Sequence, residues 1–450
     1  MNKTVDMTKG SYWKLIITFA IPIFISNLFQ QLYNSVDSLI VGNFLGKEAL
    51  AAVSSSGNLI FLFVSFFNGM SMGSGVLISK FFGQKDYDSM RKAIHTAICF
   101  GLFASVTLTI LGVSLSPVIL KLMGTAEDVL PKSIEYFRYY FLGITGVVMY
   151  NIFAGTLQAL GNSRRPLMYL IISSCTNVIL DLLFIGVFKM GVGSAALATS
   201  ISQMLSALMC FLFLIKEGTI YQVKLESIRF HKGMLSQIMR YGVPSGIQNS
   251  VISIANVFVQ SNINSFGSDA MAACGSFSKL EGFAFLPVTC FTMAISTFTS
   301  QNLGAREHER AKKGATFGII CSITMAEVIG LIMFILAPQL ISLFNSDPNV
   351  VSIGVRQIRT ESLFFCLLAF SHCIAAVCRG SGRPVVPMMI MLIIWCGIRV
   401  LYLSIAMKIS HEIGLIFWAY PITWGLSAIV YLFYFLFSDW QHGFDKVKNG

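Results

Sequence analysis

Residues 15–45 read LIITFAIPIFISNLFQQLYNSVDSLIVGNFL, and the fold follows from this stretch. Leu15 to Val36 carries no charged residue, enough for a membrane-spanning helix of about 20 residues. Asp37 then interrupts it, with Leu39 to Leu45 uncharged beyond. A carboxylate inside a membrane span costs roughly 2.5–3.5 kcal/mol on insertion scales, so it faces a cavity or a partner. Asn27, Gln30, Gln31, Asn34, Asp37 and Ser38 recur at spacings of three and four, a polar stripe along one helix face. A helix with one wet face and one apolar face lines something water-filled.

The rest of the chain agrees with a membrane protein. Of 450 residues, 55% are hydrophobic and only 12% charged, where soluble domains run near 25% charged. Mean hydropathy is +0.72. The first apolar run is too long for a secretory signal and no small-residue cleavage site follows it. The formal charge of +11 does not point to nucleic acid, because the bases collect in alternate loops. The clusters are Lys80, Lys85, Arg91 and Lys92; Arg164 and Arg165; Lys216, Lys224, Arg229, Lys232 and Arg240; Arg306, Arg310, Lys312 and Lys313; and Arg379 with Arg383. Lys121, Lys132 and Lys189 are exceptions in otherwise poorer loops. This is the positive-inside pattern of a multi-pass protein of the cell membrane, with both termini cytoplasmic. Ten cysteines show no C-x-x-C pair or metal-ligand spacing, so they read as core packing.

Apolar runs divide the chain into about twelve helices, near 14–44, 49–82, 91–120, 129–160, 166–188, 192–215, 236–265, 270–302, 312–340, 351–378, 385–408 and 412–437. An internal repeat organises them. Gly46-Lys47-Glu48-Ala49-Leu50-Ala51-Ala52 returns as Gly267-Ser268-Asp269-Ala270-Met271-Ala272-Ala273, an offset of 221 residues. The same offset carries Arg91-Lys92 to Lys312-Lys313, Pro117 to Pro338, Arg138 to Arg359, Gly161 to Gly382 and Pro166 to Pro387; Pro22 matches Pro244 with one extra residue. An even number of helices per half gives both halves the same orientation. The expected fold is therefore all-α, in two six-helix lobes related by a pseudo-two-fold along the membrane normal, with a site between them. The N-lobe spans 1–216, a basic interfacial linker 217–233 and the C-lobe 234–450.

The halves differ where chemistry is expected. Asn27, Gln31 and Asn34 have polar counterparts in Asn249, Ser253 and Asn256, but Asp37 falls opposite Val259, Asp181 opposite Tyr402 and Asn177 opposite Ile398. Two carboxylates sharing a pocket bind a cation or hold a proton between them, and both outcomes suit ion coupling. The plainer alternative is that each aspartate is separately solvated near a helix end. Thr199 follows Asp181 by eighteen residues across a short turn, so two antiparallel helices can bring them level. Alone, such a threonine reads as packing. Glu281 reads as a local ion pair with Lys279, Glu327 as an isolated acid open to a cavity role, and Arg399 as a partner for either acid or for an anionic substrate group. Pro22 removes a backbone hydrogen bond inside the first span and makes that helix a candidate hinge.

These residues reach a family. Over roughly residues 10–440 the chain resembles the multidrug and toxic compound extrusion (MATE) transporters. The resemblance rests on Pro22 with Asn27, on Val36-Asp37 followed by Gly42, and on the Leu157 to Pro166 stretch LQALGNSRRP. It rests also on Asn177 with Asp181 and on the run Gly193-Ser194-Ala195-Ala196-Leu197-Ala198-Thr199. It implies a secondary exporter of amphiphilic, often cationic, organic compounds, working by Na⁺ or H⁺ antiport with alternating access. The protein is expected to act as a monomer in the bilayer, with no cofactor beyond the coupling ion. The DinF-like branch is the closer one. Its N-lobe cation site matches Asp37, Asp181, Asn177 and Thr199, which would ligate the ion if it is Na⁺, and Tyr136 joins that network. The NorM-like branch keeps acids on its seventh helix, and this sequence has none in Gln248–Ser265. The alternative within the wider group is a flippase for a lipid-linked sugar. An enzyme is not expected: the six histidines are scattered, His411-Glu412 lacks the second His of a zinc motif, and no phosphate-binding P-loop occurs.

Overall fold

The computed structural model describes residues 5–122, 127, 129–216 and 218–444; for residues 47, 50, 51, 54, 55, 57–59, 62 and 122 only the backbone is described. Glu217, where the expected linker begins, and the outer ends of the expected lobes (residues 1–4 and 445–450) lie outside the described residues.

The helices are long because the apolar runs are long. The first half of the chain forms α1 (Tyr12–Leu45), α2 (Lys47–Gln84), α3 (Tyr87–Leu122), α4 (Leu130–Leu142), α5 (Ile144–Ala159), α6 (Arg164–Asp181) and α7 (Gly193–Leu214). The second forms α8 (Lys232–Asn264), α9 (Ser268–Ala284), α10 (Leu286–Gly304), α11 (His308–Ile335), α12 (Ala337–Ser342), α13 (Pro348–Glu361), α14 (Phe365–Gly380), α15 (Val385–Met391), α16 (Arg399–Ile409) and α17 (Ile413–Phe437). Two π-helical stretches, Leu182–Val187 after α6 and Leu392–Ile398 between α15 and α16, widen the backbone locally.

Among the described residues nine helical segments are long and apolar enough to cross a bilayer, and the pair α4 and α5, bent by 46°, makes a tenth. Helices α2 and α8 are longer than a span needs, at 38 and 33 residues. Helix α8 carries Ser245, Gln248, Asn249, Ser250, Ser253, Asn256 and Gln260, which lowers its hydropathy. The architecture is that of an all-α, multi-pass membrane protein.

The repeat is written into the backbone. Left-handed residues recur 221 positions apart: Gly46 (φ 84°) and Gly267 (φ 91°), Lys85 (φ 59°) and Arg306 (φ 63°), Gly161 (φ 81°) and Gly382 (φ 78°). Such conformations are rare enough that three matched pairs fix the register of one half on the other.

Packing divides the chain into two compact units, Met1–Asp6 with Ile25–Val243, and Met7–Phe24 with Pro244–Gly450. The expected boundaries assigned all of the first helix to the N-lobe, whereas here its first turns belong to the second unit. The reason is an apolar core in which Met7, Ile16, Phe19, Ala20 and Ile23 meet Cys290, Phe291, Ala294 and Phe298. In the first unit, the linker is strapped onto α3. Lys224 N donates to His95 Nε2 at 3.1 Å, Thr96 Oγ1 lies 3.2 Å from His231 Nδ1, and Tyr221 and Val223 are buried. Two bases counted with the loops are buried in helices instead. Lys80 lies in α2 against the Phe81 ring, and Arg379 lies in α14 and donates to Gln248 Oε1 at 3.2 Å. Long cationic stems bury readily along apolar surface, which a loop-counting rule does not register.

Candidate functional site

In the first unit Tyr33 and Asp37 of α1 come within reach of Tyr136 on α4, Asp181 on α6 and Gln203 on α7. Helix α1 runs unbroken through Pro22, which leaves only the Thr18 carbonyl without its helical donor, and so carries Asp37 well past the kink position. Helix α6 places Asn177 and Asp181 one turn apart on one face, and the π-helical stretch begins at the next residue, Leu182. Such local widening recurs at functional sites because it re-aims side chains across a turn. Helix α7 folds back after a short turn and lies close to α5. A Cβ on Gly146 would stand 2.7 Å from Met204 N, so only glycine admits that approach.

The geometry gathers both acids. Asp37 is 9% exposed, Asn177 1% and Asp181 0%. The carboxyl groups of Asp37 and Asp181 lie within hydrogen-bonding range of each other. Among the described residues, Asp37 Oδ1, both oxygens of Asp181 and Asn177 Oδ1 are buried with no donor facing them. Asn177 Nδ2 donates to Thr199 Oγ1 at 3.4 Å, so Thr199 joins at the level of Asn177, one turn from Asp181. The hydroxyls of Tyr33 and Tyr136 lie within electrostatic reach of both acids. Tyr33 also accepts from Gln203 Nε2 at 3.3 Å. No Lys, Arg or His among the described residues acts on either carboxylate. Two like charges and four orphaned oxygens in a poorly solvated pocket call for a positive charge. Carboxylate, amide and hydroxyl oxygens are hard ligands that suit Na⁺, and a proton shared by the two acids would satisfy the same deficit.

Some expectations shift. Asn34 is exposed, and its carbonyl accepts from Ser38 Oγ at 3.0 Å. Tyr33, its neighbour, brings its hydroxyl within reach of both acids, one residue of rotation on a helix turning a side chain by about 100°. Tyr33 and Gln203 were not singled out from the sequence; the spacing Tyr33–Asp37 (i, i+4) was the available signal.

The second unit bears on three further readings. Glu281 does not pair with Lys279, whose Nζ sits 5.8 Å from the Phe344 ring; Glu281 lies instead within electrostatic reach of Arg399. Glu327 accepts from Cys366 N at 3.2 Å, which satisfies a free donor in the first turn of α14. The Arg399 guanidinium is 4.5 Å from the Tyr420 ring and 5.3 Å from Trp395, and donates to Thr423 Oγ1 from Nε at 3.3 Å and from Nη2 at 2.8 Å.

Known proteins resemble this chain over most of its length. The probable multidrug resistance protein YoeA of Bacillus subtilis (strain 168) is 29% identical over 445 residues, covering 96% of this chain and 96% of its own. The probable multidrug resistance protein YpnP of the same organism is 27% identical over 380 residues, covering 84% and 85%. A solved structure described as the outward-facing conformation of a multidrug resistance MATE family transporter of the MOP superfamily shares the fold, with a TM-score of 0.90 at 24% identity over 97% of this chain and 98% of that one. The MatE family model matches twice, over residues 22–183 and 244–403, once on each half of the repeat. With both halves matched over most of their length, the chain belongs to the MatE family of membrane transporters.

Proposed function

We propose that this protein is a multidrug exporter of the cell membrane, with both termini cytoplasmic, that acts as a monomer. It would drive amphiphilic, often cationic, organic compounds outward by antiport against Na⁺ or H⁺. The observation that carries this reading is the Asp37–Asp181 pair, whose buried oxygens have no donor among the described residues. A buried acid pair without a counter-ion is costly and persists where a mobile cation completes it. The relatives named as probable multidrug resistance proteins support the choice of cargo.

In this reading Asp37, Asn177, Asp181 and Thr199 hold the incoming cation, with Tyr33 and Tyr136 closing the polar shell. The ion neutralises the pair on arrival, so its presence alters the electrostatic energy of α1 against α4, α6 and α7. A solute that favours the ion-free state is then moved against the ion, as linkage between two binding events requires. Pro22 gives α1 a point at which to bend between states at low cost in hydrogen bonding.

The test uses purified protein in vesicles loaded to impose a Na⁺ gradient, a proton gradient, or neither, with uptake of a fluorescent organic cation as the readout. Uptake driven by one of the gradients is expected. Uptake that ignores both, with protein correctly inserted, would remove the antiport reading.

A further inference from the structure

The linker between α7 and α8 carries charge that the Asp37–Asp181 pair does not use. Residues 216–240 hold five Lys or Arg, namely Lys216, Lys224, Arg229, Lys232 and Arg240, against two Glu. All five bases are exposed, and none forms an ion pair among the described residues. Glu226, the acid described beside them, is itself exposed in the short 3₁₀ turn Leu225–Ser227. Apolar side chains stand between the bases. Leu225 is 67% exposed and Phe230 44%, which water alone does not favour.

Helix α3 sets the level at which this linker lies. It has 36 residues, about 54 Å at 1.5 Å per residue, against about 30 Å for a hydrocarbon core, so part of it projects beyond the bilayer. Its charged and imidazole groups stop at His95, and Thr96 to Leu120 carries none. The hydrocarbon on that side therefore begins near His95 and Thr96. Those are the two residues that the linker grips. Lys224 N donates to His95 Nε2 at 3.1 Å, and His231 N donates to Thr96 Oγ1 at 3.3 Å. Next to His231, Phe230 meets Phe103 of α3 edge to face, with ring centroids 6.3 Å apart. Phe103, Val106 and Ile110 are exposed along one face of α3, the face that meets acyl chains.

We infer that the linker is a binding surface for anionic phospholipids of the leaflet on which it lies. Its backbone is tied where the hydrocarbon begins, so the long stems of Lys224, Arg229 and Lys232 lie along apolar surface and hold their cations among headgroup phosphates. Leu225 and Phe230 supply the apolar share, entering beside acyl chains that already meet Phe103. A zwitterionic headgroup brings its own ammonium with its phosphate, whereas a lipid with net negative charge does not, so a net basic strip selects the latter. Nucleic acid or an acidic peptide would match the charge but leave Leu225 and Phe230 without an apolar partner.

The test uses the full chain with Leu225→Trp as a reporter, in mixed vesicles of phosphatidylcholine and phosphatidylglycerol with bromine on the acyl chains of one lipid or the other. Quenching of the added indole, read as the difference from the chain without it, gives the relative affinity of the two lipids at the linker. Phosphatidylglycerol is expected to be preferred at low salt. Each of Lys224→Gln, Arg229→Gln and Lys232→Gln should lower that preference by up to about fivefold, and the three together should bring it close to unity. Lys121→Gln, in the last turn of α3, should leave it unchanged. Added salt should reduce the preference without any charge variant, because exposed charges are screened. Equal quenching by both lipids at low salt, or a preference that survives salt and the charge substitutions, overturns the assignment. Quenching by neither lipid overturns it too, since Leu225 would then lie outside the bilayer. The single variants and the salt series decide the matter if the triple variant fails to fold.

Discussion

Replacing Asp181 by Asn separates the function of the proposed ion site from its cost to the fold. Asp181 is 0% exposed, and neither carboxylate oxygen has a donor among the described residues. Two opposite unit charges about 4 Å apart interact by about 4 kcal/mol at an effective dielectric near 20. Removing one of the two carboxylates should therefore weaken cation binding by about three decades, at 1.4 kcal/mol per decade. The fold should respond in the opposite direction. An unpaired buried carboxylate pays several kcal/mol in lost hydration, and an amide of the same shape removes that penalty while offering a donor to Asp37. Asp181→Asn should thus insert and melt no lower than the parent, and higher when no coupling ion is present, yet lose gradient-driven export. Asp37→Asn should behave alike, and the double variant should be scarcely worse than either single one, because the pair acts as a unit. Val259 and Tyr402, the repeat counterparts of the two acids, give control substitutions that spare coupling. The measurements are thermal unfolding of purified protein and dye uptake in vesicles under each gradient. Export above half the parental rate by either single variant, at equal protein level, would refute the shared site.

Pro22→Ala restores the hydrogen bond to the Thr18 carbonyl and stiffens α1, so turnover should fall more than substrate affinity; equal turnover in intact protein counts against a hinge. At Gly146 a Cβ would meet Met204 N at 2.7 Å and Met204 Cα at 3.1 Å, so Gly146→Ala should cost about 1–3 kcal/mol in unfolding experiments and shift Thr199 and Gln203 away from the acids; an unchanged midpoint would show that α7 can yield. Asp86 caps α3, accepting from Ser89 N at 3.0 Å, and hydrogen bonding from Ser89 holds its carboxyl below the usual range. That stabilisation is present above the unfolded carboxyl value near 4 and is lost as pH falls through the lower folded value, and Asp86→Ala should cost about 1 kcal/mol at neutral pH with the difference vanishing in acid. Single cysteines at Arg91, Arg165, Arg229, Lys312 and Arg383 should react only with reagents that reach the cytoplasmic side; labelling of several from outside would reverse the topology.

Much of the fold was legible because membrane helices answer to local rules. Without water to pair with the backbone, an uncharged run of sufficient length has one low-energy form, so each span could be placed within a few residues. The repeat needed only register, and the left-handed turns at Gly46 and Gly267, Lys85 and Arg306, and Gly161 and Gly382 fall where the offset put them. Asp37, Asn177 and Asp181 stood out from the sequence because acids inside such runs are expensive, and because the other half of the repeat lacks them.

What the tertiary structure decided is everything that depends on rotation about a helix axis and on which helix lies beside which. Spacing alone put Asn34 on the polar stripe, but packing turns Tyr33 towards the acids and leaves Asn34 exposed. Glu361 gave no local signal, since Arg356, Gln357, Arg359 and Thr360 before it read as the wet face of a helix end. Only the packing of α13 against α9 and α17 buries it within reach of Glu281 and Arg399. The same holds for the first turns of α1, whose apolar residues Ile16, Phe19 and Ile23 belong to the core of the second unit. Hydrophobicity is non-directional: the sequence by itself determined that these side chains are buried, and shape complementarity between distant segments determined against what.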